Sequence, residues 1–340
     1  MSLEIVRLLA EGGEGRVLCT VMRVLGSAPR HAGSLMVAGP GGLLAGSVGG
    51  GRGEARVLAA AAEGRARVVE IDMQGMDAQG PDMVCGGNSR ILLQPASDPA
   101  PFRAALERLL RGERVLLATH TATGATAVMA SDGTWIHGAD PGAPGAARVL
   151  ETGHPAAPEG EGLFLLPLLP KEKLLILGAG HVGRALASLA PGLGFDTTLG
   201  DDRDAFLDPA RLPAGVAAAR GSFTDIAAAY PFDPATYVVV VSRGHLSDLE
   251  CVRAILPRPR RYAGFMGSLR KVRLVLNQAL ADGHDPAQVA ALCAPIGLDI
   301  DAETPEELAV AIAGELIAVR RGAPALEPIQ ASRKARRGAP

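Results

Sequence analysis

The sequence predicts an α/β protein, with a C-terminal Rossmann-like, doubly wound parallel sheet preceded by an N-terminal α+β domain. Three observations predict it. From Leu174 onward, strand-like and helix-like stretches alternate: "KLLILG", "VGRALASLAPGLG", "FDTTLGD", "TYVVVVS", "DLECVRAIL", "RYAGFMG". Such alternation marks a parallel sheet covered on both faces. Gly178, Gly180 and Gly183 spell G-x-G-x-x-G between the first strand and first helix of that series, the context this motif requires. In the N-terminal half, by contrast, strand-like stretches are joined by glycine turns with no doubly wound pattern.

Taken in order, "LEIVRLLAEG" reads as a helix, and "RVLCTVMRVLGS", "GSLMVAGPGGLLAGSV" and "ARVVEIDM" read as strands, from their β-branched and alternating stretches. The alanines of "GEARVLAAAAEG" predict a helix that stops at Gly64. "SRILLQP" and "RVLLATHT" are further strands, with "FRAALERLLRGE" a helix between them. The Pro/Gly-rich "GHPAAPEGEG" and the strand "LFLLPLLP" mark a boundary. "TPEELAVAIAGELIAVR" is a helix with Thr304 as N-cap, Pro305 at N1 and Glu307 completing a capping box. The domains are therefore placed at 1–166 and 171–322, with 323–340 a basic, proline-bearing tail expected to be disordered.

Bulk properties narrow the function. The 340 residues suffice for two domains with their own cores, and 48% hydrophobic with 21% charged residues is the composition of a folded protein. A net charge of −2 gives no bulk attraction to nucleic acid or anionic membranes. "RKARR" in the tail is read as a solvated run rather than a nucleic-acid contact. No signal peptide or bilayer-spanning run is apparent, so a soluble, cytoplasmic protein is expected. The four cysteines, Cys19, Cys85, Cys251 and Cys293, are too scattered for a disulfide frame or a zinc site.

Several motifs suit an anionic ligand. In the loop at Gly178, Gly178 permits the tight turn, Gly180 close approach of a phosphate, and Gly183 close packing of helix on strand, while the helix start offers free N–H groups. Asp201, ending the second strand, is the expected ribose contact; Arg203 could meet a phosphate instead. His181 could hydrogen-bond a phosphate or a substrate, or simply be a solvated first-turn residue. Gly49, Gly50 and Gly51, between strand and helix with Arg52 beside them, form either a second phosphate nest or a turn needing positive φ. Glu54 is expected to cap the helix that follows.

Arg30 and His31 lie in the glycine-bounded loop "GSAPRHAGS", and Ser268 with Lys271 in "GFMGSLRK" opens a helix where a strand ends. Cys85 precedes Gly86 and Gly87. Its thiol could ligate a soft metal, carry persulfide sulfur or fill space. For Cys19, Cys251 and Cys293 the space-filling reading wins.

"LLILGAGHVGRALASLAPGLGFDTTLGDDR", "RYAGFMGSLRKVRLVL" and "APIGLDIDAETPEELAVAIAGELIAVRRG", together with "GSAPRHAGSLMV", "GGLLAGSVGGGRGEA" and "MVCGGNSRILLQP", resemble the XdhC/CoxI family of accessory proteins for molybdenum hydroxylases. The resemblance runs from about Leu18 to Arg321. It departs from the family at "SRGHLSD", where a Thr-His pair is usual, at the leucine of "GSLRK", and at Arg52 of "GGGRGE". The resemblance implies maturation of xanthine dehydrogenase: binding molybdenum cofactor, as molybdopterin or its dinucleotide, guarding it during sulfuration and delivering it to the hydroxylase apoenzyme. It also implies a cysteine desulfurase and a cofactor nucleotidyltransferase as partners, and a homodimer.

The residues themselves leave a second reading, an NAD(P)-dependent oxidoreductase. Against it, no Tyr-x-x-x-Lys, His–Asp pairing or His/Cys metal set accompanies the loop, and a cofactor chaperone is the expected role.

Overall fold

A computed structural model describes residues 2–26, 30–72, 87–160 and 162–323. The chain divides into two compact units, Met1–Pro170 and Lys171–Pro340. The tail expected at 323–340 lies, but for its first residue, outside the described residues, as do Cys85 and Gly86.

The first unit is built on α1 (Ser2–Glu11), β1 (Val17–Leu25), β2 (Leu35–Gly39), β3 (Gly42–Gly46), α2 (Gly51–Ala61), β4 (Arg67–Asp72), β5 (Asn88–Pro95), α3 (Ala100–Leu110), β6 (Val115–His120), β7 (Thr126–Ala130), β8 (Trp135–His137), α4 (Ala146–Thr152) and β9 (Leu163–Leu168). One antiparallel sheet runs β3-β2-β1-β5-β4 and a second runs β8-β7-β6-β9. Alternate residues of β1 and β5 serve different cores. Leu18 and Leu92 join Leu9, Phe102, Leu117 and Phe164, where α1, α3 and the second sheet meet the first. Cys19, Val21 and Ile91 face Val57 and Ala61 of α2 on the opposite side. Period-2 alternation thus buries both faces at the middle of the sheet. "LFLLPLLP" continues to Leu168 and pairs with β6 along its length, so the strand belongs wholly to this unit.

The second unit holds β10 (Glu172–Leu177), α5 (His181–Leu189), β11 (Phe195–Asp201), β12 (Val216–Arg220), α6 (Phe223–Ala229), β13 (Tyr237–Val240), α7 (Gly244–Ile255), β14 (Tyr262–Phe265), α8 (Leu269–Ala281), α9 (Pro286–Ala290) and α10 (Pro305–Arg321). Its five strands are all parallel, in the order β12-β11-β10-β13-β14. Leu186, Ala187, Ile312 and Leu316 bring α5 and α10 onto one face of the sheet. Ile226, Val252, Val272 and Val275 bring α6, α7 and α8 onto the other. This is the doubly wound arrangement. The strand order reverses between β10 and β13, so the carboxyl ends of those two strands form the switch point where such sheets take ligands.

Polar anchors fix the last helix. Thr304 and Glu307 form a reciprocal capping box at its start, with Glu307 N donating to Thr304 Oγ1 at 3.2 Å and Thr304 N to Glu307 Oε2 at 3.0 Å. Glu315, nearly buried, accepts from Tyr262 Oη at 2.8 Å and from the Gly297 amide. At the other end, Glu172 on β10 accepts from Arg261 at 2.9 Å and from Arg320, whose guanidinium lies over the Phe195 ring.

Candidate functional site

The loop at the switch point is held by its neighbours. Gly178 N donates to Gly200 O at 2.7 Å and Val241 N to Leu177 O at 2.9 Å, tying the end of β10 to both flanking strands. Gly178 has φ +115°, and a Cβ there would stand 2.5 Å from Val241 O. A Cβ on Gly183 would stand 1.8 Å from Gly178 O. Both glycines are therefore required by backbone approach. Gly180 is different: it is the N-cap of α5 with no side-chain cap, and a Cβ there would meet open space. The first N–H groups of α5 thus face outward with the positive end of the helix dipole behind them. A cleft of about 320 Å³ adjoins them, lined by Gly180, His181, Arg184, Ser188, Phe206 and Glu306 among others. An oxyanion at this helix start would find backbone donors, with His181 and Arg184 at hand.

Asp201 ends β11 as the spacing predicts, but it is not open to a ribose. It is 1% exposed and its oxygens are already in use. Oδ2 accepts the Ala179 amide at 2.6 Å and Arg203 Nη2 at 2.9 Å, while Oδ1 accepts the Arg203 amide and Nε at 3.0 and 2.8 Å. Burial alone would raise the Asp201 carboxyl; the hydrogen bonds from Arg203 and Ala179 outweigh it and hold the group below the usual aspartate value. Arg203 in turn is stacked on Phe206, 3.7 Å from the ring centroid. A dinucleotide-reading acidic residue would need free oxygens at the strand end. Here the acid clamps the glycine loop to its own arginine.

At the ends of β13 and β14 the structure adds a residue that the sequence did not single out. Asp248 is wholly buried, accepts from Ser242 Oγ at 2.6 Å and lies 2.6 Å from Lys271 Nζ. Lys271 reaches it by lying across Gly267, where a Cβ would come within 2.5 Å of Lys271 Cε. Ser268 caps α8 by accepting the Lys271 amide at 3.3 Å. Lys271 is thus an anchored ammonium with donors to spare. In sequence, "SDLE" shortly after a strand gave no hint that its first acid would be buried.

The second expected cradle holds the chain's own anion. Gly49, Gly50 and Gly51 adopt φ +148°, +77° and +58°, a run only glycine tolerates, and α2 follows. The Glu54 carboxylate accepts from the Val48 and Gly50 amides at 3.0 and 3.2 Å and from Ser47 Oγ at 2.7 Å. The expectation of a free phosphate nest there is corrected: the donors are turned inward on Glu54, while Arg52 is exposed. Burial works to raise the Glu54 carboxyl, but these hydrogen bonds win and lower it. A lowered value stabilises the fold at neutral pH, and that contribution fades as pH falls through it. Glu54→Gln should therefore cost on the order of 1 kcal/mol at pH 7, with a partly exposed carboxylate discounted for screening. Urea melts should show the gap closing as pH drops below about 4.5, the ordinary glutamate value.

Of the remaining expected residues, Arg30 is half-buried at the edge of its loop, and Gly87 is buried at the entry to β5. Cys85 and Gly86 lie outside the described residues, so a metal role for Cys85 has no geometry to judge by. Burial lifts the Cys19 and Cys293 thiols to about 12 and Cys251 well above its ordinary value, which keeps all three protonated. Among the described residues, no group of three or more His, Cys, Asp or Glu side chains could hold a metal ion, and no helix is long and apolar enough to cross a membrane.

Fold and site define a two-unit protein whose parallel sheet carries, at its switch point, a glycine loop and an uncapped helix start, while the acid ending the second strand has its oxygens in use. Residues 174–316 match the family model of the XdhC Rossmann domain, and residues 9–72 match that of the XdhC and CoxI family. The chain belongs to that family. It is 26% identical over 333 residues to a Bacillus subtilis protein named as a probable xanthine dehydrogenase subunit, covering 92% of this chain and 96% of that protein. It is also 26% identical over 325 residues to the molybdenum cofactor insertion chaperone PaoD of Escherichia coli, covering 91% and 84%. The Escherichia coli protein YqeB matches at 33% identity over 155 residues, 45% of this chain and only 28% of YqeB. A crystal structure described as a xanthine dehydrogenase from Bacillus halodurans superposes with a TM-score of 0.81 at 25% identity, covering 95% of this chain and 96% of that one.

Proposed function

We propose that this protein binds molybdenum cofactor and serves in the maturation of a xanthine dehydrogenase-type enzyme, holding the cofactor during sulfuration and passing it to the apoenzyme. The observation that carries this reading is the uncapped start of α5 beside the cleft at His181 and Arg184, a place for a phosphate group on a rigid loop. The names of PaoD and of the Bacillus subtilis relative support it. An NAD(P)-dependent oxidoreductase is the weaker reading, because Asp201 has no free oxygen for a ribose. On the favoured reading the partners are the hydroxylase apoenzyme, a cysteine desulfurase and a cofactor nucleotidyltransferase, and the working form is a homodimer.

Gly180→Asp tests it. The backbone there has φ −68° and open space, so the variant should fold, with the new carboxylate capping α5. That carboxylate would occupy and repel the anion site. Protein purified from cells making molybdenum cofactor, then oxidised, should release fluorescent pterin. The Gly180→Asp protein should carry about tenfold less, equivalent to some 1.4 kcal/mol of lost binding. Equal loading, or no pterin on the unmodified protein, would sink the proposal.

A further inference from the structure

The N-terminal unit contains a larger cleft, about 770 Å³, that includes none of the residues of the α5 site. It lies against β1, β5 and β4 of the first sheet, and residues 155–160, 162 and 163 also line it. Its volume falls in the range of small-molecule sites. Met22, Val68, Pro155 and Leu163 supply apolar walls.

Its floor carries an unusual row. Arg23 on β1 lies directly opposite Arg90 on β5, which lies directly opposite Glu70 on β4. The pairing of Arg23 with Arg90 is made by a bulge. Register slips between Val21 and Arg23, so two residues of β1 face one of β5 and Arg23 takes the place Met22 would otherwise hold. Like charges directly opposite each other weaken a sheet, so a purely structural row would alternate in sign. Glu70 is paired with Arg90 at 3.3 Å. Among the described residues no carboxylate pairs with Arg23. His31, from the β1–β2 loop, and Glu159 line the same cleft.

We infer that this cleft is a separate binding site for a phosphorylated planar heterocycle. Arg23, with Arg90 and His31 behind it, takes the oxyanion, because a guanidinium meets phosphate through paired N–H bonds. The apolar walls take the ring faces, and Glu159 accepts from ring amino or N–H groups. The inference leans on the proposed function only for its choice of probe.

The test is fluorescence titration of the full chain with 6-hydroxymethylpterin monophosphate, done in the Gly180→Asp background so that the α5 site is silent. The expected result is saturable binding that weakens about tenfold or more when Arg23→Gln is added, with inorganic phosphate competing. Arg23 is exposed, so the double variant should melt like its parent; His31→Ala provides a second, independent weakening. No binding in the Gly180→Asp protein overturns the cleft site, and so does binding that Arg23→Gln leaves unchanged. Adding Arg23→Gln to both proteins in the copurification assay keeps the two sites apart: with the cleft silenced, the loss on Gly180→Asp still decides the α5 loop.

Discussion

Gly183→Ala is expected to destabilise the C-terminal unit by about 3 kcal/mol or more, lowering its melting temperature by roughly 6–12 °C. One methyl group suffices because its carbon would sit 1.8 Å from Gly178 O, far inside van der Waals contact with a backbone atom that cannot rotate aside. Gly178 is itself pressed against Val241 O and Ser242 N, so the loop has nowhere to retreat. The displacement falls on the turn that presents the α5 amides, and pterin loading should drop with stability. Gly180→Ala is the matched control. The added methyl meets open space, and its melt should stay within about 0.5 kcal/mol of the unmodified protein. Differential scanning calorimetry of the three proteins decides the matter; an unshifted Gly183→Ala transition would mean that α5 packs less closely on β10 than described.

Asp201→Ala should also be costly, about 2–3 kcal/mol, because it removes a buried carboxylate, leaves the Ala179 amide without its acceptor and takes the main partner from Arg203, which is a quarter exposed and so partly solvated. Arg203 would keep only the looser contact with Asp202 at 3.7 Å. Asp201→Asn should fall between, since one amide oxygen can still accept from Ala179. The pH dependence carries a definite sign. The folded-state carboxyl titrates below its ordinary value, so its contribution is complete above the usual aspartate range and is lost as pH falls through the depressed value. Urea denaturation at pH 7 and at stepwise lower pH should show the unmodified protein losing its advantage over Asp201→Ala only in that acidic window. A constant gap down to strong acid would assign the effect to packing instead.

Much of this was legible in the sequence, for physical reasons. The central strands β10 and β13 are continuous apolar runs of the kind a sheet buried on both faces uses, and the capping box at Thr304 is local chemistry that survives any tertiary context. Other elements gave no comparable mark. β8 spans three residues, too few for periodicity, and β12 reads "VAAAR", alanine-rich where strands favour branched side chains. The site was legible in its glycines and obscure in its acids. Spacing located Asp201 and Glu54, but it could not tell whether their oxygens would face a ligand or the chain's own amides. That choice depends on where Arg203 and the Val48–Gly50 backbone come to rest, which is set by tertiary closure. The cleft at Arg23 was hidden for a related reason: a one-residue bulge decides which side chain meets Arg90.

The pairing of Glu172 with Arg320 brings the first strand of the C-terminal unit against the last turn of its last helix. The start of β10 and the end of α10 are therefore neighbours. A segment with adjacent ends can be moved between hosts, or re-opened at a surface turn, with a short bridge and little disturbance of its interior.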